Sequence, residues 1–130
     1  MPSPQSRFLT SILSFVMPGG RKKITIQERR LRTDRQAERF IHAPRGVKVE
    51  KFTIGSMPVE WLTPQKIETD RVILYLHGGA YTFCSPATHR GLAGRIALAC
   101  QARVLVIEYR LAPEQPFPAA LEDALATWHW

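Results

Sequence analysis

The strongest indication of the fold is the stretch Val72-Ile73-Leu74-Tyr75-Leu76-His77-Gly78-Gly79-Ala80-Tyr81. Residues 71–76 have the length and apolar character of a strand, which we predict to be buried on both faces. The strand ends abruptly at a histidine and two glycines. Because glycine has no side chain, the backbone there can approach a bound molecule closely and turn its N–H groups toward it.

A helix and another strand follow at the spacing of a strand–helix–strand unit. Ser85-Pro86 is typical of a helix N-cap followed by a first-turn proline. The predicted helix carries one apolar stripe, formed by Leu92, Ala93, Ile96, Ala97 and Cys100. Residues 104–107 (VLVI) then predict a second fully buried strand. The two strands are therefore expected to be parallel and joined by a right-handed crossover.

Upstream of this unit we predict a helix and a β-hairpin. Thr25 and Glu28 fit a capping box, and the helix is expected to end near Ile41, before Pro44. Residues 47–54 alternate as a half-buried antiparallel strand does, and residues 59–62 return as its partner. Met57-Pro58 is interpreted as an irregular entry to that second strand.

The last helix of the sequence is strongly apolar along one side. Its stripe consists of Leu121, Ala124, Leu125 and Trp128. A helix of this kind needs a further strand beneath it, since parallel sheets are covered on both faces. We therefore expect residue 130 to interrupt the fold.

The segment that follows the second buried strand reads Glu108-Tyr109-Arg110-Leu111-Ala112-Pro113-Glu114-Gln115-Pro116-Phe117-Pro118-Ala119-Ala120. With the first segment, it resembles the hormone-sensitive-lipase family of α/β-hydrolases, although the family more often has Asp at the position of Glu108. The resemblance covers residues 45–130. It implies an α/β fold, namely the N-terminal part of an α/β-hydrolase with a mixed sheet and helices on both faces. It also implies two regions, a basic helical cap segment at 1–45 and an incomplete α/β-hydrolase domain at 46–130.

The resemblance assigns an oxyanion-binding role to the loop after the first buried strand. Gly79 and Ala80 would provide the donor N–H groups, Gly78 would permit the tight turn, and His77 would brace the loop. The family pattern has a third glycine where this chain has Ala80. Alanine keeps its N–H group, so the donor is expected to survive if φ at this residue is negative.

The resemblance makes the second segment a support for that loop. Tyr109, Arg110, Glu114 and Asp123 match the family stretch. We predict that Arg110, Glu114 and Asp123 form ion pairs that hold the proline-rich loop under the site. None of them is expected to be catalytic.

The nucleophile that such a loop serves does not occur in these 130 residues. The G-x-S-x-G elbow is absent from the sequence, and the Asp or Glu and the His of the triad follow the elbow in this fold. Ser56 lacks the preceding glycine pattern, and Ser85 is better explained as a helix cap. Cys84 is expected to pack, because nothing marks a base for it. His42, His89 and His129 are predicted to have surface or packing roles.

Composition restricts the partners. The net charge is +7, and residues 21–51 alone hold eleven Lys and Arg against four Asp and Glu. This basic arm lacks interleaved aromatics or a nucleic-acid motif, so we expect no nucleic-acid partner and interpret the arm as a solvated helix face. Residues 8–17 suit a short helix that packs on the protein or lies at a membrane interface, and residues 7–23 could make weak membrane-surface contact.

Two cysteines form no disulfide framework, and no cluster suggests a metal. We predict partly buried, reduced thiols, a cytoplasmic location and no cofactor. The family resemblance implies a serine carboxylester hydrolase acting on short- to medium-chain acyl esters. Because the nucleophile is absent, we expect the 130 residues to be an N-terminal fragment that is inactive alone. The alternative is a non-enzymatic fragment that associates with a C-terminal half, a membrane surface or a protein partner, or with itself through an exposed sheet edge.

Overall fold

A computed structural model describes residues 24–68 and 70–130. Their order along the chain is helix, three strands, helix, strand, helix. The helices are α1 (Ile26–Phe40), α2 (Pro86–Cys100) and α3 (Ala119–His129). The strands are β1 (Val47–Ile54), β2 (Met57–Pro64), β3 (Val72–Leu76) and β4 (Arg103–Ile107). The short helix expected at residues 8–17 and the membrane contact at 7–23 lie outside the described residues.

The strands form one mixed sheet in the order β1-β2-β4-β3. β1 and β2 pair antiparallel through the tight turn at Gly55-Ser56, and β4 lies antiparallel to β2 and parallel to β3. The predicted hairpin and the parallel strand–helix–strand unit are confirmed. The irregular entry at Met57-Pro58 is wrong, because Met57 already pairs with Ile54 and Pro58 with Thr53.

Both β3 and β4 were predicted to be buried on both faces. The prediction is right for β4 and wrong for β3. β4 has neighbours on both sides, and Val104 through Ile107 are buried. β3 pairs only with β4 within residues 24–68 and 70–130, and Val72 and Leu76 are 45% and 50% exposed. An apolar run predicts a strand, but its burial depends on which strand lies beside it.

Helices cover both faces of the sheet. On one face, Ala93 and Ala97 of α2 pack on Leu62, Val104 and Val106, with Ile96 alongside. Leu92 and Cys100 of the predicted stripe are exposed instead.

On the opposite face, Ala120 and Ala124 of α3 pack against a second cluster. Its buried members are Val59, Leu105, Ile107 and Tyr109. The outer side of α3 remains uncovered in the described structure, with Leu121 and Leu125 each 50% and Trp128 74% exposed. No helix in the part of the chain that the structure describes is long and apolar enough to cross a membrane.

Polar contacts fasten α1 to the rest of the fold. The capping box predicted for its first turn is present, with reciprocal bonds between Thr25 and Glu28. At its other end Glu38 binds Arg90 of α2, at 2.9 Å. Arg90 is 6% exposed and also binds Glu60 of β2, at 2.6 and 2.9 Å. A buried charge needs such partners, because an unpaired guanidinium in the core would be strongly destabilising.

Candidate functional site

The first loop, residues 78–85, follows β3. It turns through three consecutive residues with positive φ. The angles are +125° at Gly79, +52° at Ala80 and +58° at Tyr81. The turn is closed by the Gly79 carbonyl, which accepts hydrogen bonds from the N–H groups of Thr82 and Phe83, each at 3.0 Å. The condition of a negative φ at Ala80 is therefore not met, since this residue takes part in the left-handed turn.

The N–H groups of Gly79 and Ala80 are not used by the loop itself. Neither donates to any acceptor within the described residues. Successive backbone N–H groups in such a turn form a concave surface that favours an anion. Both N–H groups are thus without an acceptor in the part of the chain that the structure describes.

Gly79 is the position where this turn requires glycine. A Cβ built there would lie 2.0 Å from the carbonyl oxygen of Phe83. The backbone of the turn folds back on itself at this point, so any side chain would force it open.

His77 is buried beneath the loop. Its ring stacks on that of Tyr109 with centroids 4.2 Å apart, and the Tyr109 hydroxyl donates a hydrogen bond to the His77 carbonyl. His77 Nδ1 lies 2.9 Å from the Gly78 carbonyl, and because a carbonyl only accepts, Nδ1 carries the proton. Burial lowers the pKa of His77, so its ring is neutral. These contacts give His77 and Tyr109 the geometry of braces.

The N–H of Gly78, unlike those of Gly79 and Ala80, has an acceptor. It donates to Nε2 of His89, at 3.3 Å. His89 lies in the first turns of α2 and was expected to pack or to face solvent. This hydrogen bond is an additional contact that a lone histidine in a helix does not signal.

The second loop, residues 108–118, follows β4 and is held by ion pairs. One of these pairs differs from the expected one. Arg110 binds Asp123 of α3, at 2.9 Å, as predicted, and also Glu122. Glu114 joins neither: its carboxylate accepts from Arg30 of α1, at 2.8 Å, and from Gln27. The hydrogen bond from Arg30 lowers the pKa of Glu114.

Arg30 contacts both loops, although the sequence does not single it out. Its Nε donates to the carbonyl of Thr82, at 2.7 Å, in the first loop. Its two terminal nitrogens donate to the Ala112 carbonyl and to Glu114 in the second loop. One guanidinium therefore joins both loops to α1. Nothing local distinguishes Arg30 from the other arginines of α1, and its partners lie 52 to 84 residues away.

An open, mainly apolar groove of about 750 Å³ lies in front of the two loops. It is lined by the loop backbone from His77 to Tyr81, by Tyr109 and Arg110, and by α3 residues including Leu121. Its lining, within the described residues, contains no serine or cysteine.

The candidate nucleophiles lie elsewhere. Ser85 is the N-cap residue of α2, as predicted, but its hydroxyl donates to Asp34 of α1, at 2.7 Å. Ser56 lies in the turn of the hairpin. Cys84 is half-buried and does not line the groove, whereas Cys100 is exposed rather than partly buried. No group of metal-ligating side chains is assembled within residues 24–68 and 70–130.

Comparison with known proteins agrees with this architecture. A sequence profile of the alpha/beta hydrolase fold matches residues 73–130. An acetyl-hydrolase from Streptomyces hygroscopicus is 42% identical over 105 residues, which are 79% of this chain and 34% of that protein. The chain thus spans about a third of the length of this relative.

Solved structures extend the similarity to nearly all of the chain. An esterase/lipase from an uncultured bacterium is 35% identical, with a TM-score of 0.77 over 99% of this chain and 43% of that one. An esterase from the bacterial hormone-sensitive lipase family is 33% identical, with a TM-score of 0.75 over 100% of this chain and 43% of its own. The sheet, the loops and these similarities agree, and the chain belongs to the hormone-sensitive-lipase family of α/β-hydrolases.

Proposed function

We propose that Gly79 and Ala80 form the oxyanion hole of a serine carboxylester hydrolase acting on short- to medium-chain acyl esters. The observation that carries this proposal is a pair of consecutive N–H groups that have no acceptor among residues 24–68 and 70–130. They lie in a left-handed turn beside an apolar groove. The names of the similar proteins, an acetyl-hydrolase and two esterases, support an ester as the substrate.

The chemistry of ester hydrolysis explains why two fixed donors matter. Attack on the ester carbonyl creates a tetrahedral intermediate whose oxygen carries a negative charge. Removing one donor aimed at that oxygen raises the barrier by about 3–4 kcal/mol where this has been measured for a side-chain donor. The donors here are fixed before the reaction, because the turn at Gly79 is closed by its own hydrogen bonds. The apolar groove would receive the acyl or alcohol part of the ester.

The remaining motif residues act through the loop rather than on substrate. In this proposal His77 and Tyr109 support the loop from below, and Gly78 begins its turn. Arg110 and Asp123 tie the second loop to α3, while Glu114 ties it to α1 through Arg30.

These 130 residues do not contain the group that would create the oxyanion. In this proposal the attacking serine and its Asp or Glu and His partners are not among these 130 residues. By themselves the 130 residues should not turn over an ester, and no cofactor or metal takes part. We also propose a cytoplasmic location, which the unpaired Cys84 and Cys100 support.

The donor assignment can be tested by nuclear magnetic resonance on the ¹⁵N-labelled chain. Titration with butyrate, a carboxylate that offers an anionic oxygen, should shift the amide signals of Gly79 and Ala80 saturably. Butanol, which has the same chain length without charge, should leave them in place. Equal shifts along the basic helix α1 with none at Gly79 and Ala80 would reject the assignment.

A second role is favoured by the uncovered surfaces on β3 and α3. We propose that the 130-residue chain associates with another copy through the outer edge of β3 and the exposed leucines of α3, since unpaired strand edges and large apolar patches favour association. Light scattering should then show a mass that rises with concentration, and Leu125→Glu should lower it. A monomer at all concentrations would exclude this role.

A further inference from the structure

A chain of hydrogen bonds runs from α1 to the first residue of the oxyanion loop. The Ser85 hydroxyl donates to Asp34, and the Ser85 N–H donates to Oγ1 of Thr88, at 3.0 Å. Thr88 Oγ1 lies 2.9 Å from Nδ1 of His89, whose Nε2 accepts from the Gly78 N–H. The chain thus reaches Gly78 through the imidazole ring of His89.

The positions of the protons in this chain follow from its acceptors. The Thr88 hydroxyl has a single proton, which it donates to the Ser85 carbonyl, at 2.7 Å. Toward His89 the same oxygen can therefore only accept, so Nδ1 of His89 must carry a proton. The Gly78 N–H needs a lone pair on Nε2. Both ends of the ring require the same state, a neutral imidazole protonated on Nδ1.

We propose that His89 is a positioning residue of the oxyanion loop. It accepts the Gly78 N–H and so removes that group from the set of free donors. Gly79 and Ala80, which line the groove, then remain as the two loop N–H groups without an acceptor in the described structure. The inference rests on the proposed function only in naming that pair as the oxyanion donors. The placement of Gly78 by His89 is a separate claim.

The environment of the ring suits this role. His89 Nε2 lies 3.3 Å from the backbone nitrogen of Gly78, so the ring contacts the backbone directly. Tyr75 and His77 flank it, with ring centroids 6.0 and 5.7 Å away. A side chain that merely filled space would have no need of a specified tautomer. A positioning residue does need one.

The first test reads the tautomer in the unmodified chain. Long-range ¹H–¹⁵N spectra distinguish protonated from unprotonated imidazole nitrogens. His89 should show a protonated Nδ1 and an unprotonated Nε2, whereas the exposed His42 and His129 serve as references for rings without such bonds. Protonation of Nε2 in the folded chain would overturn the proposal.

The second test changes the acceptor. His89→Phe keeps a ring but removes Nε2, and the Gly78 N–H should then exchange with solvent about fivefold faster, the effect expected of one lost hydrogen bond. His89→Gln, which offers an amide oxygen, should restore part of the protection. The N–H groups of β4 should be unchanged in both variants, which shows that the fold is retained.

An unchanged exchange rate at Gly78 in a folded His89→Phe chain would contradict the proposal. The outcome separates from that of the butyrate titration. If butyrate shifts neither Gly79 nor Ala80 while both His89 tests give the expected results, the oxyanion role is rejected and the positioning role is kept. The reverse combination would reject His89 alone.

Discussion

At the scale of single residues, the site depends on backbone conformation more than on side-chain chemistry. Gly79 and Ala80 are assigned as donors through N–H groups that every residue except proline has. What distinguishes them is a run of positive φ angles that leaves both groups without a partner in the described structure. The sequence indicated the glycines and their family resemblance. It did not indicate the sign of φ at Ala80, because alanine ordinarily avoids the left-handed region.

Gly79→Ala should open the turn. The new Cβ would lie 2.0 Å from the Phe83 carbonyl oxygen at a φ of +125°, so the loop must rearrange. We expect the N–H groups of Thr82 and Phe83, which donate to Gly79, to lose protection from hydrogen exchange about tenfold or more, since backbone strain of this kind costs about 1–3 kcal/mol. Gly78→Ala is the matched control, because its Cβ would meet nothing closer than 3.5 Å. Equal loss of protection in both variants would contradict this reading of the loop.

Glu38 should make the fold sensitive to acid. Hydrogen bonds from Arg90 and then Lys51 lower the pKa of Glu38 from 4.5 to about 2 in the folded chain. A lowered pKa means that the stabilisation is complete above pH 4.5 and is lost as the pH falls toward 2. Because the side chain is 48% exposed, solvent screening limits this contribution to about 1 kcal/mol.

Urea unfolding measured between pH 2 and pH 6 checks this prediction. Glu38→Gln should lower the free energy of unfolding at pH 6 and have little effect at pH 2. Glu50→Gln serves as a control, since the partner of Glu50 among the described residues is the exposed Lys48. A constant difference between wild type and Glu38→Gln across this range would exclude the role given to the ionised carboxylate.

At the scale of elements, α1 is more closely tied to the loops than its charge suggests. The basic composition of residues 21–51 predicts a solvated face, and most of the α1 arginines are exposed. Arg30, however, reaches both loops, and Asp34 binds the N-cap of α2. Local patterns therefore predicted that α1 forms and where it begins and ends. They could not predict which of its residues contact segments more than 50 positions away.

Arg30→Ala should loosen the contact between the two loops. The Ala112 N–H donates to the Tyr81 carbonyl, at 2.8 Å, and this bond lies beside the Arg30 contacts. We expect its hydrogen exchange to accelerate about tenfold, because three charge-assisted bonds are lost together. Arg30→Lys should recover little, since a single ammonium group cannot reproduce the planar fork. Arg29→Ala, at the exposed neighbouring position, should have no effect at Ala112. If the two alanine variants behaved alike, the role of Arg30 would be refuted.

At the scale of the whole molecule, the order of the strands decides what the apolar patterns mean. The runs at 71–76 and 104–107 predicted two buried strands, yet only β4 is enclosed, because β2 and β3 flank it. Likewise, the predicted stripe of α3 divides into Ala124, which packs on the sheet, and leucines that remain exposed. Periodicity identified each element, whereas burial depended on neighbours that a pattern within one element does not specify.

We propose that these 130 residues provide an oxyanion hole and no nucleophile. The hydrolysis of p-nitrophenyl butyrate by the purified, folded chain measures whether a nucleophile is present. We expect a rate equal to the background without protein, unchanged by Ser56→Ala, Ser85→Ala or Cys84→Ala. Saturable turnover that survives both serine changes and disappears with Cys84→Ala would contradict it.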